Sequence, residues 1–417
     1  MDKISDLLFA LIRCAVHGDE PDKDALASLN EAEWLELFNM ASKKRITAVL
    51  YPVLEKCGTF NDAIANMHEN WKRAAKSAVL RQMEITRAVY RISAESFKRS
   101  VTPVFIKGPV IADLYPHYSQ RRSSDIDILV TDGEKEAAVQ MLENMGYEQS
   151  QANSKNHVQV FSSVNPASVI ELHTRLWEDY EGQKIDILES LHLEESRISV
   201  KACGLDIITL EPTRHLIYQI FHIVKHFIID SIGARYLLDI TLFIEKYKDQ
   251  INFEIFRQSM EALGYTQFCR QFFNLCRAYL DLDVSFFMEG EPMLDIDAEN
   301  LMADIMGGGV AAESGQEKWQ IMGIMTPYLV GEKKIRKTSF GRKFDAVFLR
   351  PKDLQGKFVY AQKYKFLLPV AWVHRGIECA LKYSGKKEHT QSAGEKLKLT
   401  ERRLYLLNRL GLVDEKE

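Results

Sequence analysis

The sequence predicts an α+β protein: a mixed-sheet core flanked by an N-terminal helical domain and a largely helical C-terminal half. Three observations predict it. Residues 1–98 carry apolar side chains at helical spacing, residues 99–210 switch to short apolar runs bounded by turn residues, and helical spacing returns from Glu211. A chain of 417 residues is also too long for one compact core. Four parts are therefore expected: a helical domain over 1–98, an α/β core over 99–210, a helical domain over 211–282, and a mixed, mainly helical region over 283–417.

Composition narrows the setting. The formal net charge of −4 is small for this length, so no strong nucleic-acid signature and no demand for an anionic membrane emerges. Six cysteines are scattered without a C-x-x-C pair or a zinc-like spacing, which fits free thiols in a reducing, cytoplasmic compartment. The N-terminal MDKISDLLFALIRC carries Arg13 inside its apolar stretch and reads as an amphipathic helix, not a signal peptide. No run approaches the roughly 20 apolar residues a membrane span requires.

Helices fill residues 1–98, with breaks near Asp19–Asp22 and Cys57–Asn61. The segment after Asn61 is one long helix. Trp71, Ala75, Ala78, Ile85, Val89 and Ile92 form a single stripe on it, expected to pack against the next domain. VTPVFIKG then reads as a strand, GPVIADLY as a helix starting at Pro109, DIDILV as a strand, and DGEKEAAVQMLENMG as a helix ending at Gly146. HVQVFSS and SVIELHTRLW are strands joined by an Asn165-Pro166 turn, and ISVKACGLDIITL is a hairpin turning near Gly204. EPTRHLIYQIFHIVKHFI and RYLLDITLFIEKY are helices. Beyond them come a flexible Gly-rich run after Met306, a basic segment, GEKKIRKTSFGRK, and a polar stretch, SGKKEHTQSAGEK, that interrupts the last helical section.

The chemistry concentrates in DIDILV. Side chains two apart on a strand point the same way, so Asp125 and Asp127 share a face while Ile126 and Ile128 enter the core. Two carboxylates at that spacing repel and raise one pKa unless a cation neutralises them, and their oxygens suit Mg²⁺ or Mn²⁺. Glu171 sits in a later strand with the same alternation: Ile170 and Leu172 inward, Glu171 and His173 on the other face. Upstream, the strand–Lys107-Gly108–helix unit offers a glycine where backbone N–H groups approach a phosphate.

FIKGPVIADLYPHYSQRRSSDIDILV followed by VIELHTRLW resembles the uncharacterised bacterial nucleotidyltransferase family of the DNA polymerase β superfamily, which reads L-K-G…L-Y…R…D-[IL]-D-[IL]-L-V and then [IL]-[DE]-L-H. MASKKRITAVLYPVL, HLIYQIFHIVKHF with RYLLDITLFI, and FLLPVAWVHRGIE resemble further segments of it. The resemblance implies an enzyme that moves a nucleoside monophosphate from an NTP to an acceptor hydroxyl, releasing pyrophosphate. It implies Mg²⁺ or Mn²⁺ on Asp125, Asp127 and Glu171, with Glu171 a metal ligand or the base. Lys107, Gly108, Arg121 and Ser124 would then border the NTP phosphates. One departure stands out: Gly108-Pro109 replaces the superfamily's usual Gly-Ser or Gly-Gly, and Pro109 removes a backbone N–H.

His215, His222 and His226 lie near one helix face, with Arg235 and Asp239 one turn apart on the next helix. Without an adjacent His-Asp ligand pair, packed histidines are the favoured reading over a phosphohydrolase centre. In the resemblance, His173, His222, Lys225 and Arg235 would contact nucleotide or acceptor, the latter an unspecified small molecule, protein or RNA. A nucleotide-binding, regulatory module without turnover is the alternative, and the intact carboxylate trio argues against it.

Overall fold

A computed structural model describes residues 2–58, 60, 65–155, 158–177, 184–229, 231–288, 294–307, 358, 360–374 and 393–413. The run Gly308–Val310, the basic segment 331–343, most of the polar stretch 384–396 and residues 375–378 lie outside them. By spatial clustering the chain forms two units, one of residues 1–222, 233–260 and 273–293, the other of residues 223–232, 261–272 and 294–417. The borders at 222/223, 260/261 and 272/273 fall inside helices, whereas the linear division drawn from the sequence has borders near 98, 210 and 282.

The first unit opens with helices α1 (Lys3–His17), α2 (Lys23–Ala27), α3 (Glu31–Lys43), α4 (Thr47–Cys57) and α5 (Ala65–Lys98). Local chemistry sets their ends. Gly18 and Gly58 close α1 and α4 in the left-handed conformation that a glycine adopts without strain, and Asn30 with Glu33 forms a reciprocal capping box on α3. On α5 the predicted stripe is inside: Trp71, Val89 and Ile92 are fully buried, and Ala75, Ala78 and Ile85 nearly so.

Next come β1 (Val104–Phe105), α6 (Gly108–Ala112), β2 (Ile126–Leu129), α7 (Lys135–Asn144), β3 (Glu148–Lys155), β4 (Val158–Val164), β5 (Ala167–His173), α8 (Ile185–Ser190), β6 (Arg197–Ala202) and β7 (Leu205–Leu210). The architecture is α+β, with one mixed sheet in the order β3-β4-β5-β2-β1-β7-β6. β2 pairs in parallel with β5, and β1 in parallel with β7, while the remaining neighbours are antiparallel. The hairpin turns where predicted, with Cys203 and Gly204 both at positive φ, the backbone that matches the twist of its strands. β3 was not foreseen. Its polar EQSQANSK lacks apolar alternation because an edge strand needs pairing on only one side.

One sheet face carries the core: Ile126, Ile128, Ile170 and Leu172 pack with Ile85, Val89 and Ile92 of α5 and Met141 and Leu142 of α7. Helices α9 (Pro212–Ile229), α10 (Ala234–Tyr247), α11 (Phe253–Ala262) and α12 (Thr266–Leu280) follow.

The second unit includes α13 (Ile296–Gly307), α14 (Tyr360–Lys363) and α15 (Ala393–Arg409). Arg403 pairs with Asp304 and lies 4.1 Å over the Phe227 ring, and Arg409 pairs with Asp297 at 2.7 Å. Among the described residues no helix is long and apolar enough to cross a membrane.

Ile170 is fully buried at the centre of the sheet core. Ile170→Ala is expected to lower stability by about 2–5 kcal/mol, read from the midpoint of a urea denaturation curve.

Candidate active site

The pairing of β2 with β5 builds the site. Asp127 stands directly opposite Glu171, and Leu129 opposite His173, on strands separated by about 4.8 Å. Because Ile126, Ile128, Ile170 and Leu172 occupy the core face, Asp125, Asp127, Glu171 and His173 share the other. Oxygen atoms of Asp127 and Glu171 and a ring nitrogen of His173 lie within 4.8 Å of one another. Among the described residues this is the one cluster with the spacing of a metal site.

Its electrostatics follow from how the negative charge is shared. Asp127 is 3% exposed. Burial disfavours its charge, but Lys107 at 3.0 Å and His173 at 3.4 Å more than offset that, and its pKa falls below the carboxylate range. Asp125 goes the other way: burial and the Asp127 charge raise its pKa, with Glu171 adding and Lys107 and Ser124 subtracting. The expected splitting of the aspartate pair is therefore present, and the neutralising cation inside the protein is Lys107. Burial opposes the Lys107 charge, yet Asp127, Tyr218 and Asp125 raise its pKa above the ordinary lysine range. Its ammonium also lies 2.9 Å from His222 Nε2 and 5.9 Å from the Tyr218 ring centre. It covers only Oδ1 of Asp127 and forms no ion pair with Asp125 or Glu171.

His173 is buried. Burial lowers its pKa, but Asp127 and Glu171 outweigh burial and raise it. Its Nε2 lies 3.4 Å from Asp127 Oδ1 and 3.6 Å from Glu171 Oε2, without hydrogen-bond geometry to either. A buried imidazole nitrogen with no hydrogen bond, facing two carboxylates, is a donor set that could hold a divalent cation.

The other sequence candidates divide. Ser124 is exposed and donates its hydroxyl to Asp125 Oδ1 at 3.2 Å. Gly108 is buried, and an added Cβ would meet only the Asp125 carbonyl, at 4.0 Å. His222 contacts Lys107, as above. Arg235 donates to the Arg122 carbonyl and stands 3.9 Å from Asp239. Lys225 belongs to the second unit. His215 is buried, edge-on to Phe243, and burial pushes its pKa down to about 4, so it is a neutral packing residue.

Arg121 is held within the protein. Expected beside the phosphates, it is 7% exposed and donates from Nε and Nη2 to the two oxygens of Asp239 at 2.9 Å, with Nη1 on Ser123 Oγ. Tyr115 donates to the same Asp239 at 2.7 Å. The pair anchors the loop that delivers Asp125. Gln82 Oε1 accepts from the Ser123 N–H at 2.9 Å, and Arg81 donates to the Ser124 carbonyl. Asp239 lies 118 residues from Arg121 along the chain, a separation that leaves no local signal of the pairing in the sequence.

The chain belongs to a family of nucleotidyltransferases. It is the family described as uncharacterised nucleotidyltransferase, whose sequence model matches residues 30–281, from the N-cap of α3 to the residue after α12. No curated protein and no solved structure matches the chain.

Removing one member of a buried ion pair leaves the other uncompensated. Asp239→Ala is expected to lower stability by about 3–5 kcal/mol near neutral pH, whereas Arg121→Met with Asp239→Leu recovers most of the loss. Burial raises the Asp239 pKa, but Arg121 and Arg235 outweigh it and hold it low. The contribution is thus complete above the ordinary carboxylate pKa and is lost as acid takes the pH below it. Urea denaturation of wild type and Asp239→Ala across that range checks both statements: their separation should shrink on acidification.

Proposed function

We propose that this chain is a metal-dependent nucleotidyltransferase that moves a nucleoside monophosphate from an NTP to an acceptor hydroxyl. The observation that carries the reading is the convergence of Asp127, Glu171 and the buried His173 Nε2, with Asp125 on the same strand face. Asp125, Asp127 and Glu171, joined by His173, would hold Mg²⁺ or Mn²⁺, and the imidazole tilts the set toward Mn²⁺. When bound, the ion neutralises phosphate charge and stabilises the attacking and leaving oxygens of an in-line displacement.

The acceptor oxygen bonds to the α-phosphorus, the bond to the bridging oxygen of the β-phosphate breaks, and pyrophosphate departs with that electron pair. Glu171, with its side chain 35% exposed against 4% for Asp127, is the carboxylate open to the acceptor and takes its proton. Lys107 keeps Asp127 ionised. Ser124 orients Asp125, and Gly108 leaves bare backbone against the Asp125 carbonyl. Catalysis then consists of positioning and charge neutralisation. His222 borders the site through Lys107.

The second reading, a nucleotide-binding regulatory module, draws on the Lys107–Asp127 contact, which satisfies one carboxylate without an ion. One experiment separates the two. Purified protein is incubated with each labelled NTP, Mn²⁺ or Mg²⁺ and a cell extract as acceptor source. Wild type is expected to incorporate label, and Asp125→Asn/Asp127→Asn to lose it by at least about 100-fold, on the scale of a lost electrostatic group. Equal incorporation by both proteins would remove the proposed site. Independently of turnover, His173→Ala is expected to weaken Mn²⁺ binding by about 10-fold or more, measured by electron paramagnetic resonance of free Mn²⁺.

A further inference from the structure

The ammonium of Lys107 sits on a carboxylate oxygen that the candidate cation site uses. It lies 3.0 Å from Asp127 Oδ1, and the same oxygen faces His173 Nε2 at 3.4 Å. That nitrogen has no hydrogen bond, and together with Asp127 and Glu171 it makes up the three-ligand grouping. A divalent ion held through Oδ1 would therefore share one buried oxygen with an ammonium. Like charges at such close quarters repel strongly where little water screens them. Lys107 also leaves most of the negative charge uncovered, because among the described residues it pairs with neither Asp125 nor Glu171.

The sheet builds this contact. Ile106, the residue before Lys107, donates its N–H to the Asp127 carbonyl at 3.4 Å and so extends the β1–β2 pairing. The Lys107 backbone is tied to the strand that carries Asp127, and a change in the contact has to come from the side chain. A second set of contacts is already in place for it. Nζ lies 2.9 Å from His222 Nε2 and 5.9 Å from the Tyr218 ring centre, both on α9. A ring nitrogen and an aromatic face hold an ammonium without a carboxylate, and the flexible four-carbon stem lets Nζ pivot away from Oδ1.

We propose that Lys107 is an internal competitor for the divalent cation at Asp127, so that the cation binds firmly only when the polyphosphate of an NTP draws the ammonium off Oδ1. Cation and nucleotide then bind cooperatively. The coupling is reciprocal: the factor by which nucleotide raises cation affinity is the factor by which the cation raises nucleotide affinity. The part played by the NTP rests on the nucleotidyl-transfer reading; the competition at Asp127 does not. A lysine that only contacted phosphate would leave the affinity for free cation unchanged when removed, and one that only supported Asp127 would weaken it. A competitor alone predicts that its removal tightens cation binding.

The test is Mn²⁺ binding without nucleotide at neutral pH, read from the electron paramagnetic resonance signal of free Mn²⁺, for wild type, Lys107→Met and Lys107→Gln. Lys107→Gln keeps an uncharged donor for Asp127 and carries the test where Lys107→Met fails to fold. Both variants should bind Mn²⁺ at least about tenfold more tightly than wild type. Lys107→Arg should bind as wild type does, and adding Asp127→Asn to Lys107→Gln should abolish the gain. Equilibrium dialysis of a labelled, non-hydrolysable ATP analogue with and without Mn²⁺ reads the coupling, which should be at least about fivefold smaller in Lys107→Gln than in wild type. Equal or weaker Mn²⁺ binding by both neutral variants overturns the competition, and unchanged coupling overturns its link to the nucleotide. Tightened Mn²⁺ binding in a protein whose wild type never incorporates label overturns the transfer reading and leaves the competition standing.

Discussion

Two carboxylates held side by side on parallel strands, one of them almost wholly buried, form the constraint on which the rest of this structure depends. The β2–β5 register leaves Asp127 and Glu171 no freedom to separate, and low-dielectric surroundings strengthen their repulsion. Positive groups therefore gather around them. Lys107 reaches Asp127 from just beyond β1, and His173 approaches both from β5.

Delivering Asp125 requires an ordered loop, and Arg121 to Ser124 is ordered by contacts unrelated to each other in sequence. Asp239 holds Arg121, Arg235 holds the Arg122 carbonyl, Gln82 holds the Ser123 N–H and Arg81 holds the Ser124 carbonyl. Helices α5 and α10 thus act as clamps on opposite ends of one short segment. A bidentate guanidinium–carboxylate pair fixes geometry more narrowly than a single contact, which suits a residue whose task is to place a neighbour.

Much of this was legible in the sequence. Alternation in DIDILV and VIELH put Asp125, Asp127, Glu171 and His173 on one face, because side chains alternate along any strand whatever it pairs with. Periodicity likewise gave the α5 stripe, and turn residues gave the hairpin at Gly204. Edge strand β3 escaped notice because its residues are polar. The pairing of Arg121 with Asp239 is not legible in the sequence, because a cation upstream of D-x-D has many uses and its partner lies on a helix far along the chain.

The sequence by itself determined which side chains face together within each element, since that follows from the geometry of a strand or a helix alone. It also determined the family, through spacing that survives in the linear order. Only the tertiary structure decided that Asp127 faces Glu171, that Lys107 supplies the nearest positive charge, and that Arg121 belongs to Asp239. Register and long-range ion pairs depend on how elements pack, and packing energy is shared among residues that have no fixed separation along the chain.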